Sequence, residues 1–172
     1  MALRLGIPVL AAAAAAALVA GPTQARTVGS WEVGRTAPDA CMMSAIFGSG
    51  ESTVTLALLW HASEGRLEML AAGRGWKDLR AREGDTASLE FNFDGQVQYS
   101  QWLSERATFS SMGVGVDGIV GDWGTEHSGD LAKAVTGSKN VNVKIGNTDL
   151  GAFDLSGADA AYRELLRCGE SA

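Results

Sequence analysis

Short apolar runs that alternate with period two, cut every few residues by glycine, constrain this chain more than any other feature. Such a pattern reads as many short strands joined by tight turns, and 22 glycines supply the punctuation. The segment Thr53 to His61 shows the alternation best. Val54, Leu56, Leu58 and Trp60 share one face, and Thr55, Ala57, Leu59 and His61 share the other. Successive side chains of a strand point to opposite faces. Both faces here are largely apolar, so the segment is predicted to be a central strand. Strands are also expected at 31–33, 41–47, 66–72 and 141–145. A hairpin is expected from 88–93 and 96–102 around Asp94-Gly95, with both turn residues at positive φ. Residues 109–129 are glycine-rich and poorly periodic. A short helix is expected at 130–136, with Asp130 near its start and Gly137 past its end. The C-terminal segment carries the clearest helical spacing. Ala158, Ala161, Tyr162, Leu165 and Cys168 fall on one face, with Ser156 as N-cap, Asp159 three residues on, and Gly169 as the stop. The expected fold class is mainly β (α+β): an antiparallel β-sandwich or curved sheet of about seven or eight strands, closed by a C-terminal helix.

The first 25 residues have the parts of a secretory leader. Arg4 gives a positive start, residues 5–20 are apolar with alanine throughout 11–17, Gly21-Pro22 breaks the helix, and Thr23-Gln24-Ala25 offers small residues at the cleavage site. The apolar run falls short of the ~20 residues a membrane span needs, so cleavage rather than a retained anchor is expected. No cysteine follows the run, which argues against a lipoprotein, and no Arg-Arg pair precedes it. Residues 26–172 form one domain by length. The net charge of −6 disfavours nucleic acid and anionic membrane as partners. The expected location is periplasmic or secreted. Export places the two cysteines, Cys41 and Cys168, where disulfides persist. Two cysteines permit one pairing, each lies on the apolar face of its own element, and no C-x-x-C spacing points to redox work.

The candidate chemistry is sparse. Gly113-Val-Gly115-Val-Asp-Gly118 spells G-x-G-x-x-G, but a dinucleotide site needs that turn between a strand and a helix, and no helix is expected to follow. Asp117, Asp122, Glu126, His127 and Asp130 gather oxygens and one imidazole without the spacing of a calcium loop. Only His61 and His127 could act as an imidazole base, and no serine sits in G-x-S-x-G. No catalytic, cofactor or metal set is complete. Of five tryptophans, Trp31, Trp60 and Trp76 belong to apolar patterns. Trp102 and Trp123 are the candidates for an exposed contact with a sugar or a protein.

Four pieces of the chain carry a resemblance: Trp31-Glu32-Val33, Cys41-Met42-Met43, Trp76-Lys77-Asp78-Leu79, and Asp154-Leu155-Ser156-Gly157-Ala158-Asp159-Ala160-Ala161 running on to Cys168. In this layout the chain resembles a group of small exported proteins of Gram-negative bacteria with a closing L-S-G-x-x-A-A helix that ends in cysteine. That group has no assigned activity, so the resemblance implies fold and compartment alone. More distantly the chain is similar to the invasion-associated locus B proteins, which would imply interaction with a host cell. Its two cysteines do not reproduce enough of that family's pattern to carry the implication over. The expected function is an exported periplasmic binding or interaction module without catalytic activity, acting on a protein or saccharide of the envelope. The alternatives are an inhibitor of a basic envelope-targeting enzyme, in the manner of lysozyme inhibitors, and a small hydrolase. The exported protein is expected to begin at Arg26. N-terminal sequencing of the envelope fraction checks this, and a product retaining residues 1–25 would contradict it.

Overall fold

The structure, a computed structural model, describes residues 25–73, 86–94, 105–113, 116–122, 124–145 and 148–170. The elements in chain order are β1 (Arg26–Val28), β2 (Trp31–Ala37), β3 (Ala40–Phe47), a single 3₁₀ turn (Gly50–Ser52), β4 (Val54–His61), β5 (Arg66–Gly73), β6 (Thr86–Phe93), β7 (Glu105–Gly113) and β8 (Val116–Asp122). Helix α1 (Gly124–Gly137), β9 (Asn140–Ile145), β10 (Thr148–Asp154) and helix α2 (Ala158–Glu170) complete the described residues. The fold is α+β and mainly β, with the expected C-terminal helix. The strands form one antiparallel sheet in the order β1-β2-β3-β4-β5-β8-β7-β6-β9-β10. Among the described residues the sheet has ten strands, against about seven or eight expected.

The sheet is strongly curved. Phe47 on β3 and Phe153 on β10 meet with ring centroids 5.1 Å apart. Seven strand spacings separate β3 from β10 in the sheet order, ~34 Å if the sheet were flat at ~4.8 Å per strand. Curling brings the inward faces of the two ends together over one core. Alternation supplies that face. Trp31 and Val33, Cys41 and Met43, Leu56 and Leu58, Leu67 and Met69, Phe91 and Phe93, and Val141 and Val143 are all buried in a single cluster. β4 lies between β3 and β5, the central position its two apolar faces imply. Ala57 on its second face is buried as well.

The helices line the inside of the curve. α2 packs on β2, β3 and β4, and α1 packs on β5 and α2. Ala158, Ala161 and Leu165 are buried, and Tyr162 packs against them half-buried. The disulfide Cys41–Cys168 ties α2 to β3, with Cα atoms 6.1 Å apart across a sequence separation of 127. Closing a loop of that length stabilises by roughly 5 kcal/mol in the chain-entropy model. Arg35, opposite Cys41 on β2, reinforces the same end. Its guanidinium donates to the Cys168 carbonyl at 2.6 Å and to the Pro38 carbonyl at 2.5 Å. A cation there satisfies an orphan carbonyl and complements the negative end of the helix.

Several local expectations are corrected. Residues 109–129 are not a loop: they hold most of β7, all of β8 and the start of α1. Gly118 and Gly121 weaken β8 as an isolated strand, but ladders to β5 and β7 on both sides outweigh propensity. α1 starts at Gly124 rather than near Asp130. Buried Ser128 anchors its first turns, its hydroxyl accepting from the Leu67 N–H at 2.8 Å and donating to the Gly124 carbonyl. Asp94 has the positive φ, 50°, of the expected turn, while Gly95 and the strand 96–102 lie outside the described residues. A two-residue turn would put Leu89 opposite Ser100, whereas Leu89 faces Glu105 on β7. Ser156 does not cap α2. Its N–H and hydroxyl both donate to Asp154 Oδ1, at 2.8 and 2.6 Å. Gly157, at φ 85°, takes the cap position, and its carbonyl accepts from Ala161 N–H at 3.0 Å.

Gly169 does not stop the helix either, since α2 runs to Glu170. It is buried because the last turn presses on Trp60: a Cβ there would lie 2.9 Å from Trp60 Cδ1 and Nε1 and 3.1 Å from Ala62 Cβ. An ordinary helix-interior Gly→Ala change gains up to ~1 kcal/mol. Here Gly169→Ala is expected to destabilise by about 1–3 kcal/mol, the usual cost of overpacking. Urea titration of the two proteins checks the sign.

Candidate functional site

The outer face of β6, β9 and β10 differs from the rest of the sheet. Inward residues on these strands are Phe91, Phe93, Val141, Val143 and Phe153, all buried. The alternate positions are polar apart from Ala152, and register aligns them in three rows. Glu90, Lys144 and Asp149 form one row, Asn92, Asn142 and Ala152 the next, and Asp94, Asn140 and Asp154 the third. Asn92, Asp94, Asn140, Asn142 and Ala152 line an open groove of about 360 Å³. That volume falls within the range of small-ligand sites, roughly 300–1,000 Å³.

Hydrogen bonds hold the groove in shape. The Asn140 N–H donates to Asp94 Oδ1 at 2.8 Å, the Lys139 N–H to Asp94 Oδ2 at 3.0 Å, and the Asp94 N–H returns a bond to the Asn140 carbonyl at 3.0 Å. Asp94 therefore clamps the connection between α1 and β9, a role its place beside Gly95 does not suggest. On the far side of the groove, Asn142 Nδ2 and the Gly151 N–H both donate to Asp149 Oδ1, at 2.9 and 2.8 Å. One group is left over. Asn92 Oδ1 is buried and has no hydrogen-bond partner among the described residues, where an acceptor of this kind is normally satisfied.

The carboxylates around the groove are held ionised. The Lys139 N–H, followed by the Asn140 N–H, keeps the Asp94 carboxyl below its usual range. The Gly151 N–H and then the Asn142 amide do the same for Asp149, and the Ser156 hydroxyl and N–H for Asp154. Hydrogen bonds to the charged form cause all three shifts.

The other candidates from the sequence disperse. Trp102, Trp123 and Trp76 lie outside the described residues. Trp31 is fully buried and Trp60 packs on the core, as expected. Gly113 ends β7 while Val116 and Gly118 belong to β8, so among the described residues the G-x-G-x-x-G segment lies on strands and no helix N-terminus meets it. Asp117 and Asp122 lie on β8 and Glu126, His127 and Asp130 on α1. Among the described residues no three His, Cys, Asp or Glu side chains could share a metal ion. His61 ends β4 on its outer face, with Nε2 3.3 Å from Glu68 Oε1. That atom is buried and the contact lacks hydrogen-bond geometry, so it is proximity within a charged row that includes Arg66. Comparison with protein-family models, with curated proteins and with solved structures finds no match for the chain.

The polarity of 90, 92, 140, 142 and 144 is visible as alternation in the sequence. Their assembly is not, because β6 and β9 are distant in the chain. Since the folded Asp94 carboxyl titrates below its ordinary value of 3.8, its contribution is full above that value and disappears as pH falls through the lower folded one. Wild type is therefore expected to exceed Asp94→Asn in urea midpoint equally at pH 7 and pH 5, with the gap closing below about pH 4. Midpoints at pH 7, 5 and 3 check this.

Proposed function

We propose that the mature chain is an exported binding module rather than an enzyme, and that the groove on β6, β9 and β10 holds a saccharide. The observation that carries this reading is an open groove of about 360 Å³ lined by Asn92, Asn140, Asn142 and Asp94. Asparagine amides and carboxylates on rigid strands match the dense, directional hydroxyls of a sugar.

Export and a periplasmic or secreted location are part of the same proposal. The leader supports it, and the Cys41–Cys168 disulfide is compatible with an oxidising compartment. The resemblance to small exported envelope proteins points the same way. A glycoside hydrolase requires one carboxyl raised so that it can donate a proton. The carboxyls beside this groove are shifted the other way, which favours binding over catalysis.

Ala152 is exposed and lines the groove, so a large side chain there blocks it without touching the core. The mature protein is expected to bind one or more members of an array of envelope-type saccharides. Ala152→Arg should lose that binding while its thermal melt stays within a few degrees of wild type. Saccharide binding that survives in Ala152→Arg would refute the groove as the site.

A further inference from the structure

We draw no further inference here: the strongest candidate, the surface patch of Met42, Ile46, Leu59 and Leu70 on the outer face of β3, β4 and β5, carries nothing because nothing in the structure shows what covers it.

Discussion

A sheet with one continuous apolar face must hide that face, and here it does so by curling until its own ends meet. Phe47 against Phe153 marks the closure. The remaining space inside the curve is filled by α1 and α2, whose Leu131, Val135, Ala161 and Leu165 join the same buried cluster as the strands. Helix and sheet are thus one core, not two layers with separate stabilities. The disulfide and Arg35 act on this closure. Both hold the C-terminal end of α2 against β2 and β3, and Gly169 lets the last turn approach Trp60 closely enough to seal the end.

Curvature also determines what the outer face can be. Inward positions of β6, β9 and β10 are bulky and apolar, so their alternate positions are released from packing and free to be polar. On β4 and β5 the outer positions mix Ala57 and Ala72, which are buried, with the charged row of His61, Arg66 and Glu68. The asparagine rows are therefore a local property of one end of the sheet. Asp94 links that end to the core by holding the α1–β9 connection beside β6. A residue that shapes the groove is in this way also one that secures the fold.

The groove's chemistry follows from where hydrogen bonds have been used. Backbone N–H groups satisfy the aspartates, which keeps them charged. Asn142 Nδ2 and the Ser156 hydroxyl donate to Asp149 and Asp154 in the same way.

Much of the fold is legible in the residues alone. Period-two alternation identifies β3, β4, β5 and β9, and the double-sided apolar pattern of β4 identifies it as central, because burial of both faces leaves no other place for it. Two cysteines allow one pairing, and the place of each on an apolar face suffices for Cys41–Cys168. Local patterns fail where pairing across the chain decides. β8 carries glycines that argue against a strand, and neighbours on both sides make it one. Gly169 looks like a helix stop, and its reason is an indole that arrives from β4. Ser156 looks like a cap, and Asp154 takes its hydroxyl. Asn92 and Asn142 alternate visibly in sequence, but nothing local says that they face each other. Sequence determines which side of a strand is polar, since alternation is a covalent property of the extended chain. Only tertiary structure decides which polar sides are neighbours, since strand order is chosen by burial of the opposite face.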